Sequence, residues 1–391
     1  MSESFPLAGI RRKPNVAGAT APAAVMGLPL VSVILTAHNY GRFLQASIDS
    51  VLGQSYLDVE CIVVDDGSSD ETPQVLAAAA EVAGAAMTAI RNPSPLGQGA
   101  ASRIGFEASR GQYVVFMDAD DLLEPDFVRD HIFVHLSSRI PVGVSSSDIY
   151  QAVGDRIVVA TNEAFATALL RTPPRPDLFR PLAARPAGPW PFDDPEPAIL
   201  SGARLIDAGQ AQWQWSPMTA NMFRRDILTL LIGPELDDLR LSTDVYLCTG
   251  ASVLCGSVLL DKPLSYYRIH GGNSGTFQAQ LSNMRSVRAE AELSSRAKEL
   301  LIERLTGAAP VVCARLWRPD HLLNVLQALE AELAYSGASS HLAECLERHA
   351  GAMAAAIGQK RLAAWKSRRA FQKRFRWSRR PASKGERGVR R

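Results

Sequence analysis

Residues 114–121 read Val-Val-Phe-Met-Asp-Ala-Asp-Asp. A short apolar, partly β-branched run of this kind is a buried strand, and it empties directly into Asp118, Asp120 and Asp121. Working outward, runs of the same character lie at 30–36, 59–65 and 86–90, separated by amphipathic stretches of helical length. That alternation predicts an α/β fold, with a mostly parallel sheet covered by helices. Ligands of open α/β sheets bind beyond the carboxyl ends of the strands. Thr36 to Asn39, Asp65 to Asp70 and Asp118 to Asp121 are therefore expected along one edge.

Carboxylates crowded at a strand end repel one another, and a hard divalent cation between them relieves the repulsion. Mg²⁺ or Mn²⁺, held by one or two carboxylates plus phosphate oxygens, is the usual solution. The structural alternative is that Asp120 or Asp121 caps a helix starting near Glu124-Pro125. A second stretch, Ile-Val-Val-Asp-Asp-Gly-Ser-Ser-Asp-Glu-Thr at 62–72, repeats the strand-then-acid form and favours the metal. Gly97-x-Gly99-x-x-Ser102 nearly matches a dinucleotide fingerprint. It lacks the third glycine, and Pro93 and Pro95 stand where a strand should run into the glycines, so that reading is rejected.

Four motifs in register resemble family 2 glycosyltransferases: Leu-Val-Ser-Val-Ile-Leu-Thr-Ala-His-Asn-Tyr (30–40), Ile-Asp-Ser-Val-Leu-Gly-Gln-Ser-Tyr (48–56), Val-Asp-Asp-Gly-Ser-Ser-Asp (64–70) and Phe-Met-Asp-Ala-Asp-Asp (116–121). Tyr-Tyr-Arg-Ile-His-Gly-Gly-Asn-Ser (266–274) looks like the family's closing motif, so the resemblance covers about Leu28 to Ser274. It implies a GT-A fold and transfer of a sugar from a nucleotide-diphosphate donor, UDP- or similar, with inversion. Thr36 would then border the nucleotide, Asp66 would contact base or ribose, and Asp118 with Asp120 would form the metal-binding Asp-x-Asp. His270 would approach the metal or diphosphate, its plain alternative being a hydrogen-bonded loop histidine. Where the family often has Ala-Arg-Asn-x-Gly, this chain has Ala101-Ser102-Arg103-Ile104-Gly105. Arg103, displaced by one position, is the corresponding donor-side residue.

Departure of a diphosphate develops negative charge that a cation can stabilise as a Lewis acid. Inversion by a single displacement also requires a base on the opposite face, worth typically about 10²- to 10⁴-fold in rate. The family's base is the last acid of a Glu-Asp or Asp-Asp pair opening a helix. Leu-Ser-Thr-Asp-Val-Tyr-Leu (241–247) matches it and points to Asp244, with Thr243 where an acid is common. Helix capping by Ser242, Thr243 or Asp244, and Asp237 or Asp238 as base, are the alternatives. A GT-A domain that binds a sugar nucleotide or scaffolds a complex without turnover is the rival function. A nucleotidyltransferase would leave the His270 motif unexplained.

The chain has 391 residues, 47% apolar and 21% charged, which excludes a mainly disordered, collagen-like or disulfide-dense class. Five cysteines without a Cys-x-x-Cys pair predict reduced thiols in a cytoplasmic compartment and no readable zinc site. Arg11-Arg12-Lys13 and the uncharged residues after it imitate a secretory signal, but Pro22, Gly27 and Pro29 break it. Residues 1–28 are expected to be a flexible leader, 29–275 a GT-A domain with a proline-rich loop at 171–197, and 276–391 a helical extension. Trp213 and Trp215 fall where an acceptor side is expected, or are one buried and one exposed strand residue.

The formal charge of +2 conceals an asymmetry: residues 360–391 hold fourteen Lys or Arg and one Glu. A wheel from Leu362 to Trp377 puts Ala363, Ala370, Phe371, Phe375 and Trp377 on one face and most cations on the other, with Trp365 among them. That arrangement suits an anionic membrane surface, the enzyme lying peripherally at its inner face. Nucleic acid is the less suited partner, and a solvated tail is the bland alternative. The acceptor expected with such a location is a glycan or a lipid-linked glycan.

Overall fold

The computed structural model describes residues 27–180, 197–273, 288–315, 319–335 and 341–378. Most of the expected leader, the centre of the proline-rich loop, Ser274 and the last residues of the tail lie outside that set. The first half runs β1 (Val31–Ala37), α1 (Gly41–Leu52), β2 (Val59–Asp65), α2 (Thr72–Ala83), β3 (Met87–Arg91), α3 (Gln98–Ala108) and β4 (Tyr113–Asp118). These four strands fall on the four apolar runs of the sequence. Next come β5 (Leu122–Leu123), α4 (Phe127–Ser137), β6 (Val144–Val153), β7 (Arg156–Val159), α5 (Glu163–Arg171), α6 (Pro197–Gly202), β8 (Arg204–Ile206), β9 (Asn221–Arg224), α7 (Arg225–Leu231), α8 (Thr243–Cys255) and β10 (Ser257–Ile269). The helices α9 (Arg288–Gly307), α10 (Ala309–Arg315), α11 (Pro319–Tyr335), α12 (His341–Arg348), α13 (Ala350–Ile357) and α14 (Gln359–Ser378) follow.

The strands form one sheet in the order β3-β2-β1-β4-β9-β6-β10-β5, with β7 on β6 and β8 on β10. Pairing is parallel from β3 to β4 and between β6 and β10, while β9 lies antiparallel to both its neighbours. This is the α/β GT-A architecture expected, carrying a helical C-terminal region. Alternation along β1 sends Val33 and Leu35 into one apolar cluster and Ile34 into the other, as the two-residue period of a strand requires. Helices α1, α2 and α4 cover the first face. The second is covered by α3, α7 and α8, and beyond them by the C-terminal helices.

That C-terminal layer is continuous with the second core. Leu300, Leu301 and Leu305 of α9 join the cluster holding Leu247 and Ala251 of α8, and at this crossing the Leu231 and Leu301 side chains come close to Gly250. Each fully buried leucine stabilises by about 1.5–3 kcal/mol, so this seam fixes α8 firmly. Leu362 and the partly buried Trp365 of α14 also turn onto the core. The wheel had put Trp365 on the basic face; packing against the core, which a wheel cannot see, decides its direction. Among the described residues no helix is long and apolar enough to cross a membrane.

Candidate active site

Register brings the acidic strand ends level. Thr36 pairs with Asp118 on one side of β1 and with Val64 on the other, and Ala37 pairs with Asp65. The chain therefore leaves all three strands at the same height. Two residues other than glycine take a positive φ among the described residues, Asn39 at 60° and Ser242 at 65°. Asn39 lies two residues after β1, and Ser242 immediately precedes α8. Asn39 accommodates this well, and its side chain accepts from Ser69 N at 2.8 Å while its own N–H donates to Ser68 Oγ at 2.9 Å. Ser242 is less suited to that conformation, and the strain sits two residues before Asp244.

At the β4 end the carboxylates are crowded. Asp118 Oδ1 accepts from Gln98 Nε2 at 2.9 Å. Asp120 Oδ2 lies 3.0 Å from His270 Nε2 and 3.3 Å from Asn273 Nδ2. Asp121 is buried and accepts from the Thr219 hydroxyl at 2.6 Å and from Arg268 N at 3.1 Å. Burial pushes Asp118 up to about 7, with the charge of Asp120 adding to it. Burial likewise raises Asp120 to about 6, and Asp121 lies well above the usual carboxylate range through burial and both neighbours.

Asp244 comes to the same place from α8. Its Oδ1 accepts from Val245 N at 2.8 Å, and burial together with the charge of Asp118 raises it to about 6. Thr243, where the family often has an acid, keeps a buried hydroxyl that finds no partner among the described residues. It therefore leaves the orientation of Asp244 to the helix backbone. Of the competing bases, Asp237 pairs with Arg103 at 2.7 Å and Asp238 lies 3.4 Å from Arg296.

His270 is held from three sides. Its ring stacks at 4.4 Å on Phe43 and meets Tyr40 edge-on at 5.8 Å. Gly272 N donates to Nδ1 at 3.1 Å, which leaves the proton on Nε2, facing Asp120. Burial and the charges of Arg42 and Arg268 lower its pKa, so the ring is neutral at pH 7. Arg268 donates to the Asp120 carbonyl and to Ser47 Oγ, and lies over the Phe43 ring. Its charge partly offsets the acids, and among the described residues its guanidinium bonds carbonyl and hydroxyl oxygens.

Other expected residues have different surroundings. Asp66 is buried and accepts from Asn92 Nδ2 at 2.8 Å, from Leu96 N at 2.9 Å and from Gly97 N at 2.7 Å. It anchors the loop before α3, where Gly97 takes a φ of 103° and Gly99 touches the Leu236 carbonyl too closely to carry a side chain. Those glycines serve packing. Arg103 is engaged with Asp237 and Glu107, bracing the turn that leads to α8. Trp215 is core, its Nε1 donating to Ser257 Oγ at 2.9 Å, and Trp213 meets it edge-on. Neither lies in a strand.

Residues 32–165 match the family model described as Glycosyl transferase family 2. These residues are a family 2 glycosyltransferase domain. The chain is 28% identical over 266 residues to an uncharacterized glycosyltransferase of Nostoc sp., covering 67% of this chain and 71% of that protein. It is 31% identical to the succinoglycan biosynthesis protein ExoO of Rhizobium meliloti over 34% of this chain and 37% of ExoO. A solved structure of S. aureus TarS 1–349 aligns with 86% of this chain and 83% of that chain at 15% identity and a TM-score of 0.45. The mannosyltransferase PcManGT of Pyrobaculum calidifontis, solved with GDP-Man and Mn²⁺, aligns over 89% and 81% at 18% identity, with a TM-score of 0.45.

The motifs at 116–121 and 266–274 meet in space through Asp120, His270 and Asn273, and Tyr40 of the first motif meets His270. Nothing in the local sequence distinguishes Gln98 and Thr219, and Arg268 and Asn273 stand within the closing motif with no local feature that states their task.

Proposed function

We propose that the protein transfers a sugar from a nucleoside-diphosphate donor to a hydroxyl of a glycan or lipid-linked acceptor, with inversion at the anomeric carbon. What supports this reading most is the meeting of the β4 acids with the closing motif, Asp120 lying 3.0 Å from His270 and 3.3 Å from Asn273, with the charge of Asp118 raising the pKa of Asp244 on α8. Asp244 as base on one element and the acid cluster on another would serve the two sides of a single displacement. With a pKa of about 6, Asp244 is ionised at neutral pH and still basic enough to take the acceptor's hydroxyl proton.

The oxygen donors at the β4 end fit a hard divalent cation, Mg²⁺ or Mn²⁺. Their raised pKa values record buried negative charge with too little positive charge beside it. Asp118 and Asp120 would hold the ion and His270, across Asp120, would hold that carboxylate or join it. When bound, the cation neutralises charge developing on the departing diphosphate. Thr36 would border the nucleotide. Asp66 would reach it while keeping its loop contacts, and Arg103 would act indirectly by bracing the turn before α8.

Lys360, Arg361 and Arg368 of α14 are exposed, whereas Leu362 and Trp365 face inward. Attachment to an anionic membrane at the cytoplasmic face would therefore be electrostatic over these turns, at about 1 kcal/mol per basic residue.

The test is a thermal-shift screen of nucleotide sugars with Mn²⁺, followed by transfer assays with any donor that stabilises the fold. A stabilising donor that no acceptor converts would favour the rival binding role. Full transfer by Asp244→Asn would remove Asp244 as base.

A further inference from the structure

Far along the chain from the acidic cluster, α12 presents His341 and Cys345 one turn apart, and His349 stands a turn beyond. Residues four apart on a helix share a face. Across that face α9 lays Glu303. Cys345 Sγ lies 3.0 Å from Glu303 Oε2 and 3.3 Å from His341 Nε2, and the ligand atoms of all three residues lie within 4.8 Å of one another.

We propose that Glu303, His341 and Cys345 bind a zinc-type divalent transition-metal ion that ties α9 to α12, separately from the site of sugar transfer. A thiol, an imidazole and a carboxylate make a mixed set that suits zinc and is unsuited to Mg²⁺ or Ca²⁺. Ligands at about 2.0–2.3 Å around a tetrahedral ion stand roughly 3–4 Å from one another, which is close to the spacing already present. Outer partners are also in place. His349 Nε2 lies 2.6 Å from Glu303 Oε1, and Arg348 donates to Oε2 at 2.7 Å, so the carboxylate is oriented from both sides. Cys345 is buried while Glu303 and His341 keep partial exposure, which leaves a way in for the ion and a fourth position for water.

Coordination forms a bond between sulfur and the ion and releases the Cys345 thiol proton to solvent. His341 presents the Nε2 lone pair with its proton on Nδ1, giving up its 3.0 Å contact with the Glu299 carbonyl. The spacing His-x₃-Cys-x₃-His is a helical one, and a search for Cys-x-x-Cys pairs passes over it.

Cobalt is the probe, because a thiolate bound to Co²⁺ gives a charge-transfer absorption that oxygen and nitrogen ligands do not. The full chain, stripped with chelator, is expected to take up one Co²⁺ with this band, release one thiol proton, and lose the band to one equivalent of Zn²⁺. The band is expected to vanish in Cys345→Ala and to need at least tenfold more Co²⁺ in His341→Gln and Glu303→Gln. It should need about 10- to 100-fold more in His349→Gln. It should persist in Cys255→Ala, Cys313→Ala and the Asp118→Asn/Asp120→Asn double variant, which separates this site from the transfer site. Circular dichroism identifies variants that fold. Absence of the band in the wild type, its survival in folded Cys345→Ala, or unchanged affinity in both folded His341→Gln and Glu303→Gln would overturn the proposal.

Discussion

The ends of β2 and β4 look alike in sequence, each an apolar run emptying into aspartates, yet their carboxylates have different surroundings. At the β2 end every oxygen of Asp66 meets donors from its own fold: Asn92, Leu96 and Gly97. Asp65 beside it accepts from Ser68 N at 2.9 Å and pairs with Arg91 at 3.1 Å. At the β4 end Asp118, Asp120 and Asp121 face one another and Asp244, with their protons held more tightly than usual. A carboxylate satisfied by backbone donors stabilises a loop. One left among like charges carries negative charge that a divalent cation relieves.

The sharpest way to break this contrast is Asp244→Asn. Rate and stability should move apart. Loss of a general base is expected to lower kcat by about 10²- to 10⁴-fold, while removal of a buried charge beside Asp118 should leave the melting temperature unchanged or raised. A variant that loses stability in proportion to activity would mean that the β4 end is structural like the β2 end.

Asp66→Ala should do the reverse. It strands the Asn92, Leu96 and Gly97 donors, and hydrogen bonds to a charged acceptor contribute roughly 1.5–3 kcal/mol each. After relaxation we expect a loss of about 3 kcal/mol in denaturant unfolding. If the fold keeps its full stability, the loop before α3 does not depend on this carboxylate.

A smaller effect is a pH dependence. Asp118 has a folded pKa of about 7, above the ordinary aspartate value of 3.8, so between these values the folded state binds more proton than the unfolded one. Its stabilising contribution is complete below the unfolded pKa and is lost as pH rises through about 7. In chelator, Asp118→Asn should therefore gain on the wild type in melting temperature between about pH 4 and pH 7, and hold that gain above. Mn²⁺ should reverse the difference by stabilising only the wild type. The gain is limited because Asp120 and Asp121 share the proton uptake.

Legibility in the sequence followed the range of the contacts. The strands β1 to β4 could be read because their apolar runs and the acids behind them are local, and Asp118, Asp120, His270 and Asp244 could be named because they stand inside recognisable motifs. The antiparallel β9 between β4 and β6 could not, since a four-residue run beginning with Asn221 has no pattern of its own. The pairing of Arg103 could not be read for the same physical reason. Its partner Asp237 lies far away in the chain, and only folding commits the guanidinium to it. The inward turn of Trp365 likewise depends on a core that the helix periodicity of α14 cannot disclose.

Thr219 is the finest test of the difference between the two strand ends, because one hydroxyl links the backbone of Asp118 to the carboxylate of Asp121. It accepts from Asp118 N at 3.2 Å and donates to Asp121 Oδ2 at 2.6 Å. Valine matches its shape, so Thr219→Val removes both links without opening a cavity. Asp121 keeps the Arg268 N–H at 3.1 Å and, with its raised pKa, can lower its cost by staying protonated. The expected loss is therefore only about 1–2 kcal/mol. Transfer should fall a few-fold, through a less well-placed Asp118, and the Mn²⁺ concentration needed for half-maximal rate should rise. A stability loss with no change in Mn²⁺ requirement would separate Asp121 from the metal-binding pair and make it the one acid at the β4 end that serves the fold alone.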